Sequence, residues 1–126
     1  MFRSGHIPTI SAREAHDRLA ADAEGVASRP ILLDVREPGE FGQLRAEGAA
    51  LVSMSSFMAR HLDIPKDRSI LVICQSGARS QQVAAFLLGN GWTDVVNIAG
   101  GTLSWAAAGL PVRRGPLAPG EGNLGS

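Results

Sequence analysis

The chain has 126 residues and a mass of 13.2 kDa, the size of one domain. It is 44% hydrophobic and 19% charged, a globular composition that argues against a disordered or fibrous chain. Because 12 basic residues balance 12 acidic ones, no basic excess is left to neutralise phosphates, and we expect no nucleic-acid partner. The longest apolar run, residues 83–88, is too short to span a bilayer, so we expect no membrane partner.

Cys74 is the only cysteine of the chain, which excludes an intramolecular disulfide and a metal site built from several cysteines. We expect no bound metal and no cofactor. Residues 1–6 contain no apolar stretch that would serve as a signal peptide. Together with the lone cysteine, this predicts a protein of the reducing cytoplasm.

In the first half of the chain, helices are predicted to alternate with strands. Ser11 is the expected N-cap of the first helix, and Glu14 is expected to reach back to it and complete a capping box. The predicted elements are an extended segment over residues 7–10, a helix to about residue 22, a strand over 30–35, a helical turn over 37–43, a weak strand over 49–53 and a helix over 55–62. The side chains expected to face inward from the two longer helices are Ala15, Leu19, Ala20, Phe57, Met58 and Leu62.

The second half continues the alternation and contains the clearest strand, over residues 69–74. A helix over 79–88, a strand over 94–98 and a short helix over 102–108, with Gly109 as its C-cap, are predicted to follow. From Arg113 onward, 6 of 14 residues are Gly or Pro, so we predict a domain over residues 1–112 and a flexible tail over 113–126. This alternation predicts an α/β fold with a mostly parallel sheet and helices on both faces, in which ligands bind at the carboxyl ends of strands.

The segment from Cys74 to Ser80 is the candidate active site. Cys74 ends a buried strand and a helix begins a few residues later, so the chain must turn sharply, which Gly77 permits. Backbone N–H groups of this turn are expected to point inward and form an anion-binding concavity, to which the helix N-terminus and Arg79 add positive potential. This environment predicts a thiolate whose pKa lies below that of a free thiol.

The alternative role of Cys74 is structural, since a lone cysteine at the end of an apolar strand is usually a small buried hydrophobic residue. The small polar loop and the placement of Arg79 favour the reactive role, because a structural cysteine needs neither. Ser76 and Ser80 are candidate hydrogen-bond donors to a bound anion, and Ser80 is equally suited to capping the helix.

Two polar residues follow the strand over 30–35, at the end of the sheet where sites form. Asp34 is expected to accept backbone N–H groups of the next turn, whereas Arg36 either lines the pocket entrance or pairs with Glu37 or Glu40. Trp105 is expected in the core, anchoring the last helix. The three histidines have no metal-ligand spacing and are expected at the surface: His6, His16 and His61.

Four motifs, in the right order and spacing, resemble those of the rhodanese-like sulfurtransferase family. They are Leu33–Glu37 with Glu40-Phe41, Cys74–Ser80, Gly91-Trp92 with Val95 and Asn97, and the closing pair Gly100–Trp105 and Gly109–Val112. The resemblance covers about residues 7–112. It implies a rhodanese-like three-layer α/β fold with a central, mostly parallel sheet of about five strands flanked by helices. It also implies that Cys74 carries sulfur as a persulfide and that the backbone from Gln75 to Arg79 lines the pocket.

The chain departs from the family over Leu44–Ala49, where Gly-His-Ile-Pro-Gly-Ala is usual and only Gly48 and Ala49 agree. This segment lies near the pocket rim in the family, so the departure concerns the substrate and partner surface. Arg45 is expected to add a charge there.

The length of the cysteine loop favours sulfur chemistry over phosphate chemistry. Four residues separate Cys74 from Arg79, one fewer than in the phosphatases related to this fold, and a smaller loop suits one sulfur atom better than a phosphoryl or arsenate group. We therefore favour a sulfurtransferase that takes sulfur from a small donor such as thiosulfate and passes it to cyanide or a thiol. The candidate catalytic residues are Cys74 and Arg79, and the candidate substrate-binding residues are Gln75, Ser76, Gly77, Ala78, Ser80 and Arg36.

Three alternatives stay open from the sequence. A persulfide carrier or redox-signalling module would deliver its sulfur to a protein partner, which suits a chain without a second cysteine to resolve the persulfide. A phosphatase or arsenate reductase is disfavoured by the loop length, and an inactive binding module by the presence of both Cys74 and Arg79. The sequence is compatible with a monomer and with a homodimer.

Overall fold

The computed structural model describes residues 7–21 and 29–124, so the expectations for His6 and for Asp22 lie outside the described residues. The helices in these ranges are α1 (Ala12–Ala20), α2 (Pro38–Gln43), α3 (Phe57–Arg60), α4 (Ala78–Leu88) and α5 (Gly101–Ala107). The strands are β1 (Thr9–Ile10), β2 (Ile31–Asp34), β3 (Arg45–Ala46), β4 (Ala50–Leu51), β5 (Ile70–Ile73), β6 (Val95–Ile98) and β7 (Val112–Arg113).

Five strands form one parallel sheet in the order β1-β6-β5-β2-β4. In its centre, Val72 of β5 lies opposite Leu33 of β2 and opposite Asn97 of β6. The three central strands are buried on both faces, as parallel strands covered by helices must be. The predicted α/β fold with a central sheet of about five strands is therefore confirmed.

Alternate residues of the strands divide the core into two layers. On one face, Cys74 packs in the same cluster as Val83 of α4 and Phe57 of α3. On the other face, Ile73 packs in the same cluster as Trp105 of α5, which is 1% exposed and confirms the core position predicted for that tryptophan. The Cys74 side chain therefore lies on the face of the sheet that α4 covers.

Helix α1 begins at the predicted residue, but fewer of its side chains are buried than predicted. Ser11 accepts a hydrogen bond from the backbone N–H of Glu14, which confirms Ser11 as the N-cap. The Glu14 carboxylate pairs with Arg18 in the next turn of the helix and not with the backbone N–H of Ser11, so the predicted capping box is wrong. Ala15 is buried and Leu19 half-buried, whereas Ala20 is exposed.

The single helix predicted over residues 55–62 is wrong. The segment forms a 3₁₀ turn, the short helix α3 and a second 3₁₀ turn. Ser55 does not cap a helix, because its N–H and hydroxyl both donate to the carboxylate of Glu37. Met58 and Leu62 consequently point outward, with relative exposures of 66% and 76%.

Residues 113–124, here called the C-terminal segment, run along the body of the domain. β7 pairs antiparallel with β3, and farther on the carbonyl of Gly122 accepts the backbone N–H of Leu51 at the sheet edge. Arg45 lies beneath this segment with 1% exposure and binds the Glu121 carboxylate, so its predicted place at the pocket rim is wrong. The flexibility expected of the tail stays a prediction.

Within the described ranges, no helix combines the length and the apolar character needed to cross a membrane. The same part of the chain contains no group of His, Cys, Asp and Glu side chains arranged to hold a metal ion.

Candidate active site

Cys74 follows β5 directly and lies in the turn that leads into α4, with 1% of its surface exposed. Gly77 is the N-cap of α4 and has a φ of 106°, a left-handed conformation that favours glycine. A Cβ at this position would also stand only 3.3 Å from the backbone nitrogen of Gly100. The sharp turn predicted at Gly77 is confirmed, and it brings the first turn of α4 against the sulfur.

Hydrogen-bond donors surround the Cys74 sulfur. The Gly77 backbone N–H lies 3.1 Å from Sγ, and the Ser80 hydroxyl lies 3.3 Å from it. Burial by itself raises the pKa of the thiol, but the Ser80 hydroxyl and the backbone N–H groups of Ser80, Gly77 and Ser76 outweigh burial and hold the pKa below its ordinary value. The sulfur therefore lies in a cradle of neutral donors, and Ser80 is seen as a donor rather than as the helix cap.

The lowered pKa of Cys74 is expected to appear in the pH dependence of its alkylation. The rate with iodoacetamide, a small uncharged reagent, should reach half its maximum below pH 8.5, the approximate midpoint of a free thiol. The same chain unfolded in urea is the matched control, because it retains the cysteine and loses the cradle. A folded midpoint at or above the unfolded one would contradict the acidity of this thiol.

Asn97 on β6 contacts both residues that donate to the sulfur. Its Oδ1 lies 2.5 Å from the Ser80 hydroxyl oxygen, and its Nδ2 donates to the Gly77 carbonyl at 3.4 Å. Asn97 is 4% exposed and Ser80 is fully buried. The sequence pattern predicts a strand at Asn97 and indicates no role for its side chain, although an amide inside an apolar strand is itself a signal of a buried polar contact.

The start of α5 holds the loop from its other side. Thr102 donates both its backbone N–H and its hydroxyl to the Cys74 carbonyl, and the backbone N–H of Leu103 donates to the Gln75 carbonyl. Gly101 makes this approach possible, since a Cβ there would collide with the Cys74 carbonyl oxygen. The sequence predicts only a turn at the pair Gly100-Gly101 and does not indicate this contact.

Arg79 lies in the first turn of α4, and its guanidinium is bonded to a carboxylate. Nη1 and Nη2 each lie 2.8 Å from one oxygen of Glu40. The Arg79 guanidinium lowers the pKa of the Glu40 carboxyl to about 2. The role of Arg79 toward an anionic substrate stays a prediction, and it requires this ion pair to open.

Arg36 pairs with a carboxylate that was not among its predicted partners. Its Nη2 lies 2.9 Å from Asp34 Oδ2 and also donates to the Leu44 carbonyl at 2.7 Å, so the predicted pairing with Glu37 or Glu40 is wrong. Asp34 also accepts the Arg36 backbone N–H at 2.9 Å, which confirms its expected role in the turn. Arg36 does line a cavity of about 170 Å³ beside the loop, as its other predicted role requires.

The remaining predicted residues lie at the edge of the site or away from it. Gln75, Ser76 and Ala78 are exposed in the loop and at the start of α4. His16 and His61 are half-buried rather than fully exposed, because each packs against aromatic rings. The hydrogen bonds to the Cys74 sulfur come from Gly77 and Ser80, whereas His61 Nδ1 lies 2.9 Å from the Met58 carbonyl oxygen.

The site has a cysteine at the end of a central parallel strand, with its sulfur bonded to the first turn of the next helix. This arrangement defines a class of α/β domains with a cysteine loop. The chain belongs to the rhodanese-like domain family, which it matches over residues 11–108. A sulfurtransferase of Allochromatium vinosum is 39% identical over 103 residues, which cover 82% of this chain and 92% of that protein. A thiosulfate sulfurtransferase of Actinobacillus succinogenes is 35% identical over 82 residues, which cover 65% of this chain and 74% of that protein.

Solved structures show the same fold. The crystal structure of a rhodanese-related protein from Thermoplasma volcanium superimposes with a TM-score of 0.70 at 26% identity, covering 84% of this chain and 97% of that chain. The family membership predicted from the four sequence motifs is therefore confirmed.

Proposed function

We propose that this protein transfers sulfane sulfur from a thiosulfate-like donor to a thiol or cyanide through a persulfide on Cys74. The observation that carries the proposal is the buried Cys74 sulfur within hydrogen-bond reach of the Gly77 N–H and the Ser80 hydroxyl. Neutral donors stabilise a sulfur anion without locking it into an ion pair, so the sulfur keeps its nucleophilicity. The names of the two sulfurtransferase relatives support the same reaction class.

The first chemical step is a displacement at sulfur. The Cys74 thiolate attacks the outer sulfur of thiosulfate, the sulfur–sulfur bond of the donor breaks, and sulfite leaves with the bonding electron pair. The product is a Cys74 persulfide anion, whose negative charge the loop amides stabilise, joined by Arg79 once its ion pair with Glu40 opens. The donor supplies sulfur already at the oxidation level of the persulfide, so no separate oxidant is required.

The second step takes its acceptor from outside the chain, because Cys74 is the only cysteine. A thiol or cyanide attacks the terminal sulfur of the persulfide, and Cys74 leaves as a thiolate. A carrier that hands sulfur to a protein shares the same persulfide and differs only in the acceptor.

Intact-mass measurement after incubation with thiosulfate tests the proposal. We expect the mass to rise by one sulfur atom, with the addition located on the peptide that contains Cys74 and removed by cyanide. A chain that gains no sulfur at saturating thiosulfate would overturn the thiosulfate proposal. An assay with an aryl phosphate runs alongside, and hydrolysis faster than sulfur transfer would replace the proposal with the phosphatase alternative.

Removing the charge of Glu40 is expected to tighten the binding of an anionic donor. In Glu40→Gln, Arg79 loses its ion-pair partner, while the new side chain retains an oxygen to accept the Glu37 backbone N–H. We expect KM for thiosulfate to fall about two- to fivefold, the range of a partly exposed ion pair, with kcat nearly unchanged.

Glu14→Gln is the matched control for this measurement, since it removes the exposed Glu14–Arg18 pair on α1 and should leave KM unchanged. Arg79→Ala is expected to raise KM, because it removes the cation that Glu40→Gln sets free. An unchanged or higher KM in Glu40→Gln would show that Arg79 does not bind the donor.

A further inference from the structure

Asn97 contacts both residues that donate to the Cys74 sulfur, at the Ser80 hydroxyl and at the Gly77 carbonyl, from a strand that does not carry the cysteine. We infer that Asn97 is a positioning residue, which competes with the Cys74 sulfur for the single hydroxyl proton of Ser80 and thereby weakens the hydrogen bond that Ser80 donates to the sulfur. The consequence for sulfur transfer rests on the proposed function, whereas the consequence for the thiol does not.

The sheet places Asn97 on the same face as the cysteine. Asn97 lies opposite Val72, and Cys74 comes two residues after Val72, so both side chains point to the layer covered by α4. The neighbouring residues Val96 and Ile98 pack in the opposite layer. A buried amide in an apolar layer must be hydrogen-bonded, and both ends of this amide are.

The Gly77 carbonyl decides which end of the amide faces Ser80. A carbonyl only accepts hydrogen bonds, so the Asn97 NH₂ turns toward it at 3.4 Å. The amide oxygen is then left to face Ser80, where it is an acceptor and not a donor. Rotating the amide by half a turn would set its oxygen against the Gly77 carbonyl oxygen, which is unfavourable.

Ser80 therefore stands between two acceptors with one proton to donate. Its oxygen lies 2.5 Å from Asn97 Oδ1 and 3.3 Å from Cys74 Sγ. The shorter contact is the stronger one while the sulfur is a neutral thiol, so the hydrogen bond to Asn97 is formed at the expense of the one to the sulfur. A thiolate or persulfide must compete with Asn97 for the same proton, which leaves the sulfur less stabilised and more nucleophilic than Ser80 alone would make it.

Asn97→Leu is the decisive variant, because leucine has the same branching at Cγ and lacks hydrogen-bonding groups. The freed Ser80 proton turns to the sulfur, so the midpoint of iodoacetamide alkylation should move down by about 0.5–1 pH unit, the size of one hydrogen bond. Above the midpoint, the plateau rate should fall about two- to threefold, since a more acidic thiol is a weaker nucleophile. General loosening of the site would move the midpoint up instead, toward that of a free thiol.

Ser80→Ala makes the test specific. With the hydroxyl absent, adding Asn97→Leu should leave the midpoint where Ser80→Ala alone puts it. The charged groups around the cradle are unchanged in all these variants: Arg79 and Glu40 from α4 and α2, and Asp34 and Arg36 from the end of β2. Asn90→Ala, at an exposed amide in the turn that follows α4, is the control and should behave like the parent.

A midpoint in Asn97→Leu that stays constant or rises overturns the inference, as does an equal shift in the Ser80→Ala background. If Asn97→Leu does not fold, Asn97→Val is measured in its place, since a β-branched residue suits a strand. The readout needs no sulfur donor. A downward shift in a protein that gains no sulfur from thiosulfate would therefore uphold the inference and overturn only the proposed function.

Discussion

Replacing Cys74 with serine is expected to abolish sulfur transfer and leave the fold intact. The thiolate is the proposed carrier, and a serine hydroxyl neither ionises near neutral pH nor forms a persulfide. Thiocyanate formation from thiosulfate and cyanide should fall by roughly a thousandfold or more, as expected when a covalent nucleophile is removed.

The folded state tolerates serine because the new hydroxyl still faces the Gly77 N–H and the Ser80 side chain. The free energy of unfolding should change by no more than about 1 kcal/mol. Cys74→Ala is the second variant, equally inactive but less stable, since it leaves the buried Gly77 N–H without its acceptor. Substantial thiocyanate formation by the serine variant would show that sulfur does not pass through Cys74.

The fold could be predicted because its strongest signals are local in the sequence. The runs over residues 31–33 and 70–73 are continuous and apolar, and such runs fit a sheet buried on both faces. Gly77 permits a turn that the chain must make within a few residues. The helix predicted over 55–62 is wrong because Ser55 binds Glu37, 18 residues away in sequence, and Ser56 binds Ser53, so neither serine supports a continuous helix.

The backbone turn that forms the site could be predicted from the sequence, whereas the partners of its charged side chains could not. Gly77 and Ser80, which bond to the sulfur, follow Cys74 by only 3 and 6 residues, so their spacing in the sequence is enough to predict that they lie at the site. The partner of Arg79 comes from a different helix, 39 residues away in sequence, and spacing says nothing about such a contact. Asn97 was missed for that reason too, because only the strand register brings it beside the loop.

The largest loss of stability is expected from Arg45→Met. The Arg45 guanidinium is nearly fully buried and binds both oxygens of Glu121, the Gly115 carbonyl at 2.9 Å and the Phe41 carbonyl at 3.2 Å. Methionine fills part of the space but leaves the Gly115 and Phe41 carbonyls without this donor and removes the cation beside Glu121, whose carboxylate keeps the Ala118 backbone N–H as a donor. Because each buried polar group left unpaired costs about 1–3 kcal/mol, we expect a loss of about 3 kcal/mol or more. In a domain of this size we expect Tm to fall by more than about 10 °C.

The same ion pair should give the stability difference a pH dependence. Its hydrogen bond with Arg45 lowers the pKa of Glu121 from 4.5 to about 2. A carboxyl whose pKa is lowered in the folded state contributes fully above its unfolded pKa and loses that contribution as the pH falls through the folded one. The gap in unfolding free energy between the parent and Arg45→Met should therefore be constant above about pH 5 and shrink steadily below it.

Two comparisons separate this ion pair from a general effect of losing an arginine. Arg18→Met removes an exposed pair, with side chains 41% and 53% exposed, and should change the unfolding free energy by about 0.5 kcal/mol or less. A chain ending at Arg114 loses both Glu121 and the Gly115 carbonyl, so it should be destabilised about as much as Arg45→Met. Equal stability of the parent, Arg45→Met and the shortened chain would mean that the C-terminal segment does not pack on Arg45 in solution. Arg45 would then be hydrated in the parent, so neither its replacement nor removal of the segment would change the free energy of unfolding.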